Sequence, residues 1–490
     1  MRLKRIATAL SLLTVLALGG AAGAGASTPA KSPPIAGGRF SDCFWRYGAF
    51  GVHDYNIAYP DAGATYWAAY FRHPAGTTLT LRGSYPHSRY MSVSAYNILG
   101  AGVDSLADYQ IDPDGGSSNP FRRGALRTAK HRRYTITVED TVNPLPLEPK
   151  DGAAHRNVLY ARTNPPNLET IDGDTADLNL LLLRVYVPDR GRDLTGGVGL
   201  PAPRLKLANG TVLKGQALCD ATDSESKALG TQRLPDPSAL LIQNPTYSAL
   251  RYPNLLSSPF DVFAGLMQQP RQVPPGFPAV RKGEWRAQYD RRYLLQMYTG
   301  DDAPGAVATP VRAAGGGFFP NINNNYVRTA LSRHFGKIAV FRGKLPTSPS
   351  TREGKTRMGG GQVRYTSFCM NESVYTTKVM DCAYDEEIPL SGDRRYTIVV
   401  SRRADRPATA TVRCGKAWIN WWKAGDGYRD PNFGWFQIRN MLARPSFDEA
   451  IQNTKTPGDE RSVMGPYLPR LTYFESAGAF QRSRLGRCAR

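Results

Sequence analysis

Short runs of alternating apolar and polar residues fill two long stretches of the chain, about 45–200 and 321–446. In the first, 78–82, 90–96, 134–138 and 180–187 are rich in Tyr, Val, Thr and Leu, residues that suit a pleated, half-buried surface. Turn formers separate them, as in Asp112-Pro-Asp-Gly-Gly-Ser-Ser-Asn-Pro120. Many short strands with turn signals at this spacing predict a mainly β protein of antiparallel sandwich or jelly-roll-like domains. The intervening 204–320 differs in kind. There, 235–252 and 283–298 read as helices, the second with Trp285, Tyr289, Tyr293 and Met297 on one apolar stripe suited to packing on a sheet. The Pro-rich 270–278 breaks the two apart.

The two β stretches repeat one another. Gly76-Thr-Thr-Leu-Thr-Leu-Arg82-Gly83, Pro86 and Arg89-Tyr90-Met-Ser92 are answered by Gly336-Lys-Ile-Ala-Val-Phe-Arg342-Gly343, Pro346 and Arg364-Tyr365-Thr-Ser367. Arg132-Arg-Tyr-Thr-Ile-Thr-Val138 is answered by Arg394-Arg-Tyr-Thr-Ile-Val-Val400, and Leu182-Leu-Arg184-Val-Tyr186 by Gln437-Ile-Arg439-Asn-Met441. The period is too long for a solenoid and predicts a duplicated domain. The resulting division is a signal peptide over 1–26, a flexible arm over 27–40, a first β domain over 41–203 and a partly helical connector over 204–320. A second β domain over 321–446 and a basic segment over 447–490 complete it.

The N-terminus points to export. Arg2, Lys4 and Arg5 precede an apolar run from Ile6 to Leu18, and Ala24-Gly25-Ala26 forms a small-residue cleavage site. No other apolar run is long enough to span a bilayer. The net charge is +21, and +18 without the three basic residues of the signal. Such a field favours an acidic glycan or cell-wall polymer as partner. The Lys and Arg read as dispersed, which leaves solubility as the alternative explanation, and nucleic acid is not an expected partner. Six cysteines (Cys43, Cys219, Cys369, Cys382, Cys414 and Cys488) suit an exported, disulfide-bonded protein. Cys369 and Cys382 fall on strands predicted over 364–370 and 377–384 around a turn near Ser373, so these two are expected to pair.

The chemistry on offer is sparse. There is no G-x-S-x-G, H-E-x-x-H or P-loop, and His53-Asp54 is a weak candidate because sequence neighbours on a strand face opposite ways. Arg184 and Arg439, each inside a largely apolar strand, must be paired or line a cavity, because an unpaired buried charge costs several kcal/mol, order of magnitude. Either could grip a carboxylate or phosphate through its planar fork. Matching the acidic loops of the two copies sets Asp108 against Asp381, Asp112 against Asp385, and Asp114 against Glu387. If the protein is a hydrolase, Asp112, Asp114, Asp385 and Glu387 are the first carboxylates to test. No cofactor is required by any motif. Calcium is a weak candidate at Asp112 and Asp114 and at Asp172 and Asp174, where neither loop completes an EF-hand pattern. The Asn-rich stretches opening each copy, 56–60 and 320–326, can lock a loop or bind sugar hydroxyls.

The strand ending in Arg-Tyr, the Asn324-Asn325-Tyr326-Val327 opening and Trp418-Ile-Asn-Trp421-Trp with Phe436-Gln-Ile-Arg439 resemble a group of bacterial exported proteins with paired jelly-roll-like β domains of unknown function. The resemblance covers both copies and implies a fold but no catalytic residues; the first copy lacks the Trp cluster. The expected function is that of an exported β protein binding an anionic or hydroxyl-rich extracellular ligand, through Arg184, Arg439, Trp418 and Trp421. The alternative is a carboxylate-based hydrolase of an extracellular polymer or ester.

Overall fold

The structure is a computed structural model and describes residues 43–52, 56, 58–96, 102–144, 157–162, 168–171, 174–177, 179–224, 279–289, 319–372, 377–427 and 430–488. The signal peptide, the arm, His53, Asp172 and the helix expected over 235–252 lie outside these residues.

The first copy supplies β1 (Tyr47–Phe50), β2 (Ala64–Phe71), β3 (Thr78–Ser84), β4 (Ser88–Tyr96), β5 (Gly102–Ala107), β6 (Arg133–Val142) and β7 (Val158–Arg162). It continues through β8 (Leu168–Ile171), β9 (Asp174–Asp177), β10 (Asn179–Pro188), β11 (Ala202–Lys206) and β12 (Val212–Leu213). The second supplies β13 (Trp285–Ala287), β14 (Asn324–Ser332), β15 (Ile338–Lys344), β16 (Tyr365–Asn371) and β17 (Val379–Tyr384). After them come β18 (Arg395–Ser401), β19 (Ala417–Asn420), β20 (Phe433–Met441) and β21 (Arg470–Phe474).

Each copy is a sandwich of two sheets. The first packs β1-β2-β10-β4-β5 on β12-β11-β3-β6-β7, the second β13-β14-β20-β16-β17 on β19-β18-β15-β21. Pairing is antiparallel except for β6 with β7 and β18 with β19, which are parallel in both copies. Alternation explains the packing: Leu79 and Leu81 of β3 turn inward onto Met91, Val93, Leu181 and Leu183. β4, β10 and β20 are buried along both faces, which is why 180–187 reads as an almost unbroken apolar run. Their second faces meet across the two copies, where Tyr66, Tyr90, Tyr186, Tyr365, Tyr384 and Met441 pack together.

Three boundaries move. The helix expected over 283–298 is not formed at its start, because Trp285–Ala287 is an edge strand paired with β14. There Trp285 packs edge-on to Phe341 and Phe436, and core packing overrides the four-residue period. The first sandwich runs past 203 through β11, β12 and helix α1 (Gly215–Ala221), whose Cys219 is bonded to Cys43. The segment after 446 is ordered structure: β21 pairs with β15, helices α2 (Glu460–Met464) and α3 (Ala477–Arg482) flank it, and Cys488 is bonded to Cys414.

Candidate functional site

The seam between the sandwiches is crossed by arginines exchanged in both directions. Arg89 of the first copy reaches Asp385 at 2.5 Å and also pairs with Glu386, while Arg364 of the second reaches Asp108 at 3.5 Å. The two carboxylates occupy equivalent places. Asp108 accepts the Met91 amide at 2.9 Å and Asp385 the Thr366 amide at 3.1 Å. Four residues earlier, Asp104 accepts from Ser105 and Tyr160 amides, and Asp381 from Cys382 and Asn420 amides. Two residues later, Gln110 accepts the Ala107 amide and Glu387 the Tyr384 amide. The acidic loops therefore match as Asp104 with Asp381, Asp108 with Asp385 and Gln110 with Glu387. This corrects the register expected from sequence by four residues.

Arg184 and Arg439 also hold equivalent places, and neither faces solvent (both 2% exposed). Arg184 donates to Ser94 Oγ at 3.1 Å and to the Phe319 carbonyl at 2.8 Å; Arg439 approaches Cys369 Sγ at 3.4 Å and donates to the Tyr59 carbonyl at 2.5 Å. Arg439 has one more partner, Asp61, at 2.7 Å. Asp61 is fully buried and accepts from Tyr365 Oη (2.6 Å) and Ser367 Oγ (2.7 Å). Burial first, and then this carboxylate, push the Tyr365 phenol well above its ordinary range. In the other half Asn321 takes the place of Asp61 and accepts from Tyr90 Oη at 3.2 Å. Both arginines are thus saturated by the protein itself and clamp the opposite copy, so the ligand-facing position expected for them is corrected: a buried guanidinium needs internal acceptors. Cys369 and Cys382 form a disulfide where the first copy has Ser94 hydrogen-bonded to Ser105 at 2.9 Å. Asp61 and these two sulfurs converge within 4.8 Å, but sulfurs bonded to each other are not metal ligands. Asn56 locks its loop to β17 through both Val379 backbone groups.

Asp108 carries a pH signature. Burial raises its carboxyl to about 6, with Arg364 and the Met91 amide opposing the shift. The folded state therefore holds a proton that the unfolded chain has released between about pH 4 and pH 6. Its stabilising contribution is complete below pH 4 and is lost as pH rises through 6, by about 2–3 kcal/mol. Asp108→Asn is expected to remove that loss. The check is the melting difference between variant and wild type at pH 4 and pH 7, where a constant difference would refute the assignment. Comparing the two proteins cancels the opposite contribution of His87, whose lowered pKa, set by burial and then Arg132, loses stability as pH falls.

The copies diverge further along the seam faces. Arg328, Gln437 and Asn371 stand where the first copy has Ala68, Leu182 and Tyr96. Neither amide atom of Asn371 has a partner, and the residue is fully buried. Asn371→Leu is expected to stabilise the protein by about 1–3 kcal/mol in chemical denaturation, since an unsatisfied buried amide is removed. A destabilised variant would show that the amide is satisfied in solution.

The remaining sequence candidates scatter. Asp112 is exposed and paired with Arg122, and Asp114 accepts from Thr135 at 3.3 Å. Asp385 is held by Arg89 and Glu387 closes a turn, so the four carboxylates have four separate local employments. Asp174 opens β9, paired with Ile171. Trp421 is fully buried, its indole N–H donating to the Phe433 carbonyl at 3.2 Å, which corrects its expected ligand-facing role. Trp418 is different. It alternates with Ala417 and Ile419 on β19, lies half-buried on the outer side of the sheet, and carries the Arg406 guanidinium 4.3 Å from its ring centre. Six Lys or Arg and one Asp fall between 402 and 423. Lys416 turns inward to the Cys414 and Arg487 carbonyls. Arg403, Arg406, Arg413 and Lys423 are exposed, and Arg402 half-buried. Partial burial and then Arg333 lower the pKa of Arg402, and partial burial and then Arg403 lower that of Arg406. Arg333 is in turn paired with Asp405 at 2.9 Å, and the excess of basic residues over 402–423 is visible in the sequence only when charge is counted over a short window.

No family model and no curated protein matches the chain. Among solved structures it is similar to an uncharacterised protein from Burkholderia cenocepacia, at 12% identity and a TM-score of 0.41, over 86% of this chain and 79% of that one. It is also similar to a protein from Vibrio parahaemolyticus, at 11% identity and a TM-score of 0.29, over 86% and 92% of the two chains.

Proposed function

We propose that this is an exported β protein that binds an anionic extracellular ligand, an acidic glycan or wall polymer, on the basic face around Trp418. The observation that carries the proposal is the run of Arg402, Arg403, Arg406, Arg413 and Lys423 between 402 and 423, against Asp405 alone in that stretch, with Arg406 stacked on Trp418 and under the field of Arg403. Like charges near one another are relieved by a polyanion, and stacking on Trp418 holds the Arg406 guanidinium in place to meet one. Export is supported by the signal pattern and by three disulfides, the mark of an oxidising compartment. No helix among the described residues is long and apolar enough to cross a membrane. The chain is proposed to belong with the exported paired-domain proteins that its motifs resemble.

The test is binding of polygalacturonate and of a teichoic acid preparation, with neutral dextran as control. Wild-type protein should bind the anionic polymers with an affinity that falls as salt rises. Arg403→Glu with Arg406→Glu should weaken binding by about tenfold or more and flatten the salt dependence. Equal affinity of wild type and double variant would remove this face from consideration. Release of soluble product from either polymer would favour a hydrolase instead.

A further inference from the structure

A second basic cluster lies in the first sandwich, built around His87. The loop after β10 folds back on the loop before β4: His87 N–H donates to the Gly196 carbonyl at 3.0 Å and Asp189 N–H to the His87 carbonyl at 2.9 Å. The approach requires glycine. Gly196 has φ +68°, and a Cβ there would sit 2.7 Å from Pro86 and 2.9 Å from the His87 nitrogen. At neighbouring Gly197 a Cβ would meet the Arg192 side chain at 3.0 Å, so that side chain lies along the loop backbone.

Three guanidinium groups surround the imidazole, and only Arg127 is hydrogen-bonded to a carboxylate, Asp189; Asp189 also acts at a distance on Arg132 and Arg192, and Asp193 on Arg192. Arg127 is buried and saturated by Asp189 and by the Ser88 and Lys355 carbonyls. Arg132, 6% exposed, has only neutral hydrogen-bond partners: the Arg127 and Pro86 carbonyls, both at 3.1 Å, and the His87 ring, whose Nε2 and Nδ1 lie 2.7 Å and 3.0 Å from its Nη1. Its Nε–H is buried and has no partner. Arg192 is exposed on the glycine-rich loop. Burial, then Arg132, Arg192 and Arg127 together, lower the His87 pKa to about 4, so the ring is neutral at physiological pH.

The duplication provides an internal control. Arg394 is the second copy's counterpart of Arg132, and it donates Nε–H to the Leu345 carbonyl at 3.1 Å and Nη2–H to the Pro346 carbonyl at 2.8 Å. The residue after Pro346 is Thr347, bonded to Gln362, and no histidine is present. The fold thus needs the arginine to hold the Pro carbonyl in both copies. It does not need an unused Nε–H or a histidine. The unused Nε–H and the histidine belong to the first copy; the second has Gln362 and Arg444 where the first has His87 and Asp189, the N–H of Arg444 bonding to the Gln362 carbonyl as that of Asp189 does to the His87 carbonyl.

We propose that Arg132, Arg192 and His87 form a binding site for a tetrahedral oxyanion, phosphate or sulfate, as the free ion or as a terminal ester. The Arg132 Nε–H gives a buried donor and Arg192 an exposed planar fork on the adjoining loop, while the His87 ring, held against Arg132, senses the field that an anion would change. The site is separate from the face around Trp418 and stands whether or not that face binds polymer.

The test uses the mature protein with inorganic phosphate, sulfate and glycerol 3-phosphate at constant ionic strength, with acetate as control. Binding is read by calorimetry and His87 by NMR titration of its ring. Phosphate is expected to bind with a 1:1 stoichiometry and to raise the His87 pKa from about 4 by a unit or more. Arg192→Glu, on an exposed loop, should melt as wild type does and bind phosphate about tenfold or more weakly. Arg403→Glu with Arg406→Glu should bind phosphate as wild type does, which separates this site from the polymer-binding face. Binding of glycerol 3-phosphate as tight as that of phosphate supports the site and assigns it to a terminal ester, and binding of the free ions alone supports it for those. A His87 pKa unmoved by saturating phosphate, or wild-type affinity in Arg192→Glu, overturns the proposal, as does acetate binding equally well.

Discussion

Arg439→Met is expected to cost about 3–5 kcal/mol of stability, the largest effect of any single side chain in the seam. The variant leaves Asp61 fully buried with hydrogen bonds from Tyr365 and Ser367 but no cation. Asp61→Asn should cost less, because the protein already contains that arrangement: Arg184 sits opposite Asn321 with a carbonyl, a hydroxyl and the Tyr66 and Tyr96 rings. The double variant should recover part of the loss, with a coupling of about 1–3 kcal/mol. Urea denaturation of all four proteins gives the cycle. Strictly additive costs would mean that the 2.7 Å pair contributes nothing as a pair.

Removing the Cys43–Cys219 disulfide, which ties the segment before β1 to helix α1, is expected to cost more than removing Cys369–Cys382, which joins two paired strands. A cross-link restricts the unfolded chain in proportion to the logarithm of the loop it closes. The first closes a separation of 176 residues and the second one of 13. Chain entropy then assigns about 5 kcal/mol to the first and about 3 kcal/mol to the second. Cys43→Ala with Cys219→Ala should accordingly lower the urea midpoint further than Cys369→Ser with Cys382→Ser. The serine pair has a precedent in the protein itself, since Ser94 and Ser105 share a hydrogen bond at the equivalent position. A reversed order would show that native packing around Arg439, and not the unfolded chain, sets the value of the shorter link.

Much of the architecture was legible in the sequence because strands advertise themselves locally. Thr78 to Arg82 alternates, the Arg-Tyr pairs recur, and Arg184 and Arg439 stand out as charges among apolar neighbours. What stayed hidden depends on contacts between distant residues. Asp108 and Asp385 each take an arginine from the opposite copy, and a repeat in sequence does not distinguish a partner within a copy from one across the seam. Both copies are dense in Asp, so their acidic loops match in sequence at a register four residues from the true one, which the amides bound by Asp104 and Asp381 fix. Trp285 fitted a helical stripe, yet its place beside Phe341 is on a strand edge. Trp418 and Trp421 look interchangeable in sequence. The sheet puts Trp418 half-buried on the outer side of β19 and Trp421 in the core.

The exchange of Arg89 and Arg364 has the form of an isologous dimer contact, in which each partner gives what it receives. A homodimer of one half would meet itself in the same two-fold way, whereas halves joined in one chain can each differ alone. Asp61 against Asn321, Cys382 against Ser105, and His87 against Gln362 are then departures from symmetry that no homodimer could have made, since a homodimer must place every substitution on both sides at once. The same reciprocity makes the halves obligate companions. Either one expressed alone would expose a stranded arginine and a stranded carboxylate on an aromatic face, so recombination that shuffles the halves between relatives must carry both sides of the seam together.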